Sequence, residues 1–145
     1  MSKPLPSTNL HFDQFKVLTF DCYGTLIDWE TGILGALNAA LAEHHRKIPP
    51  QELLAAYSEI EPQIQSEGYQ LYRNILAEVM RRMGNRFDAT FTPSQEASLA
   101  ESIRDWRPYP DTVAALRRLK SRYKLAIISN IDDDVFEVRV ILVEH

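Results

Sequence analysis

The stretch that decides the fold is residues 17–28, VLTFDCYGTLID. An apolar, β-branched run that begins at Phe15 ends on a carboxylate, Asp21, and is closed by the small turn Tyr23-Gly24-Thr25. A short apolar run bounded by turn residues reads as a buried strand. Far downstream, residues 124–128, KLAII, form a second such run that stops at Ser129-Asn130. Just ahead of it, residues 111–123 place Val113, Leu116, Leu119 and Tyr123 on one stripe and Arg117, Arg118, Lys120 and Arg122 mostly on others, as an amphipathic surface helix requires. The basic last turn suits the negative helix end. A helix that runs straight into an apolar strand is half of a βαβ unit, so the two strands are expected to lie parallel in one sheet.

Between the two strands the period changes to that of helices. Leu34, Leu37 and Leu41 recur at helical spacing, then Leu53, Leu54, Tyr57 and Ile60, then Tyr72, Ile75, Leu76, Val79 and Met83. Breaks are expected at Ile48-Pro49-Pro50, at Ser66-Glu67-Gly68, and from Met83-Gly84 to Thr92-Pro93. Pro93 with Ser94 and Glu96 opens one more helix, which ends before Arg107-Pro108-Tyr109-Pro110. The aromatic residues Tyr69, Tyr72, Trp106 and Tyr109 are expected to pack in the core or where the helices meet it, or in part to line an apolar pocket over Asp21.

Composition excludes several function classes. The 145 residues are 45% apolar and have a formal net charge of −4, with no run of Lys or Arg. The basic face of a nucleic-acid binder is missing. Cys22 is the only cysteine, so neither an intramolecular disulfide nor a cysteine-based zinc site is available, and a reducing, cytoplasmic setting is expected. Residues 1–9, MSKPLPSTN, lack the apolar stretch of a signal peptide, and no later segment reaches the length of a membrane span.

The chemistry sits at the strand ends. In an open parallel sheet, ligands bind outside the carboxyl ends of the strands. Asp21, Ser129 and Asn130 each follow an apolar strand, so a parallel arrangement brings them to one edge. There an aspartate can act as a covalent nucleophile, and Ser129, Asn130 and the backbone N–H groups of Tyr23 to Thr25 can hold anionic oxygens. On spacing alone, Asp21 could equally cap its turn and Ser129-Asn130 merely end a strand. Alternation points Cys22 away from Asp21, as a packed thiol. His44-His45 reads as a solvated helix end, and Arg73, Arg81 and Arg82 as a solvated helix face. Asp132-Asp133-Asp134 read as the first turn of a helix rather than a cation site. No metal site is expected.

FDCYGTLID, followed after the helical segment by YPDTVAALRRLKSRYKLAIISNIDDD, resembles the haloacid dehalogenase superfamily, with the helices in the place of its cap. The resemblance implies an α/β fold: a Rossmann-like core whose parallel sheet is incomplete here, and an inserted helical cap. Residues 1–12 would be an N-terminal tail, 13–28 and 108–134 the core, 29–107 the cap, and 135–145 an atypical C-terminal tail. It further implies that Asp21 is the catalytic nucleophile, with Tyr23, Gly24, Thr25, Ser129 and Asn130 in contact with substrate.

Phosphatases of the superfamily carry a second aspartate two positions after the nucleophile, where this chain has Tyr23. A phenol near its normal pKa of about 10 is a poor proton donor to a leaving alkoxide, whereas halide leaves as a stable anion. The pattern D-x-Y-G-T therefore resembles the type II, L-2-haloacid dehalogenase branch. That implies displacement of halide from a small 2-haloacid through an aspartyl ester, with no cofactor. The alternative is a Mg²⁺-dependent, phosphatase-like hydrolase.

The family's later lysine and acidic motifs have no counterpart, since no lysine follows Lys124. Truncation, with an inactive fragment or interaction module as a reading of another class, is thus also expected. The cap arginine of type II dehalogenases is missing from residues 56–65, AYSEIEPQIQ, and Arg73 is the nearest candidate to replace it. The expected partner is a small organic acid, with self-association as a homodimer through the open sheet edge.

Overall fold

The computed structural model describes residues 11–129 and residue 131. Asn130, the three aspartates at 132–134 and the tail at 135–145 lie outside the described residues. After a 3-10 turn at Phe12–Gln14, strand β1 (Val17–Phe20) leads into a long helical insertion, and helix α5 (Thr112–Lys120) returns the chain to strand β2 (Lys124–Ile127). The strands pair in parallel, with Val17 opposite Lys124 and Phe20 opposite Ile127. The Lys124 N–H donates to the Lys16 carbonyl at 2.9 Å and the Ile128 N–H to the Phe20 carbonyl at 2.8 Å, so the ladder reaches the residue beside Asp21. The expected βαβ logic holds. Helix α5 is shorter than residues 111–123 because the Arg122 and Tyr123 N–H groups both turn back onto the Leu119 carbonyl.

The insertion comprises α1 (Trp29–Glu43), α2 (Pro50–Ser66), α3 (Tyr72–Arg86) and α4 (Pro93–Ser102), closed by a 3-10 turn at Ile103–Asp105. Each start has a local cause. Asp28 caps α1 by accepting from the Thr31 N–H at 3.1 Å and the Thr31 hydroxyl at 2.7 Å. Pro50 opens α2 at a position whose N–H would have no helical partner. Thr92 and Gln95 form a reciprocal capping box at α4, ahead of Pro93. One break differs from the sequence reading. Helix α3 runs through Gly84 to Arg86, because that glycine serves close packing: a Cβ there would lie 2.6 Å from the Ala89 carbonyl oxygen and 3.1 Å from the Phe91 ring. Helix α2 carries Pro62 inside it, with Pro62 and Ser58 both on the exposed side, where water can serve the carbonyl that loses its helical donor.

The core sits in the insertion. The largest fully buried side chains, among them Leu37, Leu53, Leu76, Met80, Met83 and Leu99, all belong to the helices and the turn that closes them. Burying each contributes roughly 1.5–3 kcal/mol. The strands, expected to be buried, are not: Val17 is 48% exposed and Ile127 39%. Two strands flanked by a single crossover helix leave a face and both edges open among the described residues. Tyr69, expected to pack, is 95% exposed, carried outward by the α2–α3 turn where Gly68 has a φ of +135°. Among the described residues no helix is long and apolar enough to cross a membrane.

Candidate active site

Asp21 follows β1 directly, and the register that sets Phe20 against Ile127 places it alongside the start of the chain leaving β2. The turn after it is tightly bonded. The Cys22 carbonyl accepts from the Leu26 and Ile27 N–H groups at 2.8 and 3.0 Å, and the Gly24 N–H donates back to the Ile27 carbonyl at 3.0 Å. Gly24 has a φ of +90°, a region that L side chains avoid, and a Cβ there would press on the Trp29 indole at 2.9 Å. This geometry leaves the Asp21 carboxylate exposed, with the Thr25 hydroxyl donating to Oδ2 at 3.0 Å. Cys22 is buried, as its alternation predicts.

The turn is also braced from the far end of the insertion. The Asp28 N–H donates to the Arg107 carbonyl at 2.9 Å, the Tyr109 N–H to the Leu26 carbonyl at 3.2 Å, and the buried Thr112 hydroxyl to the same carbonyl at 3.0 Å. The insertion therefore enters and leaves next to the Asp21 turn. Tyr23 packs its ring edge-on against Trp106, with centroids 5.8 Å apart, and its hydroxyl is buried. At the end of β2, the Ser129 hydroxyl is buried without a hydrogen-bond partner among the described residues. Asp21, the Tyr23-Gly24-Thr25 turn and Ser129 thus share the carboxyl edge of the strand pair. Asn130 lies outside the described residues.

A cavity of about 390 Å³ opens between the α2–α3 turn and the segment after β2. Gln65, Tyr69, Gln70, Tyr72 and Ile75 line it on the helical side and Ile131 on the sheet side. Arg73 is exposed on the first turn of α3 and is not part of this lining.

A polar chain that sequence reading missed runs behind the cavity. The Tyr57 hydroxyl donates to Tyr72, which donates to Glu61 Oε1 at 3.4 Å, and Gln65 donates to the same oxygen. Burial raises the Tyr57 hydroxyl far above its ordinary pKa and pushes Tyr72 up to about 12, with Glu61 adding to the rise in both. Burial also raises Glu61, against the opposing bonds from Tyr72 and Gln65. The only sequence signal was spacing: Tyr57, Glu61 and Gln65 recur at i, i+4 and i+8 on one helix face.

The remaining candidates are structural. Arg81 and Arg82 pair with Glu78, and Arg82 also with Glu67, on the outer surface of α2 and α3. His44, expected to be solvated, is half-buried, stacks near Phe91 and bonds Gln95 Oε1 at 3.3 Å. Gln95 in turn donates to Glu43 at 2.9 Å, which ties α1 to the cap of α4. Among the described residues, no three His, Cys, Asp or Glu side chains converge as a metal site.

The sequence model of the haloacid dehalogenase-like hydrolases matches residues 15–143. Similar solved structures include a defluorinating L-2-haloacid dehalogenase, at 18% identity and a TM-score of 0.73, over 86% of this chain and 54% of that one. The L-2-haloacid dehalogenase of Xanthobacter autotrophicus with chloropropionic acid covalently bound matches at 19% identity and a TM-score of 0.70, over 89% of this chain and 52% of that one. A putative hydrolase of the same superfamily from Bacillus subtilis, bound to magnesium, matches at 13% identity and a TM-score of 0.70, over 89% and 60% of the two chains. This chain thus spans between half and three fifths of their length. No curated protein matches it.

Proposed function

The chain belongs to the haloacid dehalogenase-like hydrolase family, and from that premise we propose that it carries the nucleophile half of a hydrolase that displaces halide from a small 2-haloacid. The observation that carries this reading is the placement of Asp21 at the carboxyl edge of the parallel pair, with Thr25 bonded to Oδ2. That bond fixes the carboxylate and leaves Oδ1 to react. Oδ1 attacks the halogen-bearing carbon from the side opposite the halogen. A carbon–oxygen ester bond forms as the carbon–halogen bond breaks, and the electron pair leaves with the halide. Water then adds to the aspartyl carbonyl and the ester opens. A 2-hydroxy acid of inverted configuration departs, a proton passes to solvent, and the Asp21 carboxylate is restored. The substrate's own carboxylate is met by the Ser129 hydroxyl and the N–H groups of Tyr23 and Thr25, the Gly24 N–H being taken by the Ile27 carbonyl.

Tyr23 favours this chemistry over phosphate transfer. It stands where a phosphatase of the superfamily has its acid, and its ring is packed against Trp106 rather than presented as a carboxyl. The test is halide release from 2-chloropropionate by this chain and by its Asp21→Asn variant. Release that the variant abolishes supports the reading, and equal background in both refutes it. Magnesium-dependent phosphate release without halide release would replace it with the phosphatase alternative.

A further inference from the structure

Positive charge gathers at the amino edge of the strand pair, opposite the edge that holds Asp21. Lys16 precedes β1 and Lys124 opens β2, and the 2.9 Å bond from the Lys124 N–H to the Lys16 carbonyl joins their backbones. The Arg122 and Tyr123 N–H groups turn back onto the Leu119 carbonyl at 2.9 Å, which holds Arg122 at the end of α5 that carries Arg118 and Lys120. These five basic residues are all exposed. None of the ion pairs among the described residues includes any of them, and Asp13 is the one carboxylate in residues 12–20 and 112–124.

Exposed apolar side chains stand at the same edge. The Tyr123 hydroxyl donates to the Phe12 carbonyl at 3.3 Å, which ties the 3-10 turn Phe12–Gln14 to the start of β2. Phe12 is 62% exposed, Phe15 45% and Val17 48%. The last turn of α5 accounts for two of the cations, since the negative helix end favours them there. Lys16, Arg122 and Lys124 lie outside the helix and meet no carboxylate. A small anion would answer the charge and leave the apolar side chains in water. A nucleic-acid strand would answer the charge and stack on the rings, but it gives an aliphatic side chain such as Val17 no partner. An anionic bilayer answers both, because its headgroups attract Lys and Arg and its interfacial layer takes up apolar side chains.

We propose that the amino edge of the strand pair is a docking surface for an anionic lipid bilayer. Lys16, Arg118, Lys120, Arg122 and Lys124 meet the headgroups, and Phe12 and Phe15 enter the layer beneath them. Asp21 lies four residues beyond Val17, about 13 Å along the strand, so docking leaves the carboxyl edge in water. The surface stands independently of the nucleophile reading of Asp21.

The experiment is co-sedimentation of the chain with vesicles of phosphatidylcholine alone and of phosphatidylcholine with phosphatidylserine as about a third of the lipid. Binding to the anionic vesicles is expected to be at least tenfold tighter, and to be lost as salt rises from about 0.1 M to about 1 M and the screening length falls from about 10 Å to about 3 Å. Arg122→Glu, with its helical circular dichroism retained, should weaken that binding severalfold, whereas Lys47→Glu, the same charge reversal on an exposed residue after α1, should weaken it less. Phe12→Ser should weaken it as well, and Asp21→Asn should bind as the wild type does. Free phosphoserine at the same headgroup concentration should not displace the chain. Equal binding to both kinds of vesicle, equal effects of Arg122→Glu and Lys47→Glu, undiminished binding by Phe12→Ser, loss of binding by Asp21→Asn or displacement by phosphoserine would each overturn the proposal. Saturable binding of single-stranded polyuridylate without binding to the anionic vesicles would overturn it in favour of a nucleic-acid surface.

Discussion

Helix α1 contains two glycines one turn apart, and replacing each by alanine should move stability in opposite directions. In a helix interior, Gly→Ala is worth roughly 1 kcal/mol in favour of folding. At Gly35 nothing lies within 4 Å of the added Cβ, so that gain should appear in full. At Gly32 the Cβ would fall inside the van der Waals envelope of the Trp106 indole, against Nε1, Cε2 and Cδ2. Trp106 is buried and anchored, donating from Nε1 to the Ser102 hydroxyl at 3.0 Å and packing edge-on against Tyr23. It cannot yield without disturbing both contacts. Overpacking of this kind costs about 1–3 kcal/mol, and a strained indole hydrogen bond costs about 0.5–1.5 kcal/mol more. Together these outweigh the helical gain, so Gly32→Ala should destabilise the chain by about 2 kcal/mol. For a chain of this size that is a fall in Tm of roughly 6 °C, against a rise of roughly 3 °C for Gly35→Ala. Urea and thermal unfolding, followed by circular dichroism and tryptophan fluorescence, measure both. If Gly32→Ala stabilised the chain as much as Gly35→Ala, the close packing of α1 on Trp106 would be wrong, and with it the support of Tyr23.

Four further outcomes are expected. Gln95→Leu removes the reciprocal half of the α4 capping box together with the bonds to His44 and Glu43, and should cost about 2 kcal/mol in urea unfolding. Leu99→Ala empties a fully buried site on α4 and should cost about 2–5 kcal/mol by the same measurement. Glu67 and Glu78 both titrate below the ordinary 4.5, the first through its hydrogen bond from Arg82 and the second through bonds from Arg81 and then Arg82. Their stabilisation is therefore present above the ordinary carboxylate range and lost as pH falls through the lowered folded values. Arg82→Met should flatten that acid-side loss in Tm against pH, by a small amount because the pairs are partly exposed to solvent. Glu61, raised by burial, works with the opposite sign, since its protonation as pH falls favours the folded chain. Glu61→Gln should remove that contribution from the same curve.

What could be read from the sequence was whatever depends on local pattern. Both strands, their parallel pairing and the breaks at Pro49-Pro50 and Gly68 follow from period and turn chemistry, and the structure has them there. The exposure of the strands did not follow, because burial depends on what covers an element. An apolar run such as VLTF carries no record of whether a second helix lies over it. Gly84 was read as a break because glycine punctuates helices on average, whereas here it admits the Ala89 carbonyl and the Phe91 ring. His44 was read as solvated because its partner, Gln95, lies 51 residues away in sequence. For the candidate site, Asp21 and its turn were legible, since strand, carboxylate and turn are contiguous. Glu61 was not, since the Tyr72 that bonds it stands on the next helix, eleven residues on.

The bonds around the Leu26 carbonyl explain why the helices can influence a carboxylate that none of them supplies. That oxygen accepts from the Tyr109 N–H and from the Thr112 hydroxyl, while the Asp28 N–H reaches the Arg107 carbonyl. The turn that orients Asp21 is therefore clasped by the segment through which the insertion returns to α5. Trp106, on the same returning segment, supports Tyr23 from the other side. A displacement of the insertion that carried this segment with it would strain the Cys22–Ile27 turn, because that turn bonds both the insertion's exit and the first residue of α5. The Asp21 carboxylate is attached to that turn by the Thr25 hydroxyl. Movement of the returning segment would thus reach the proposed nucleophile through Thr25.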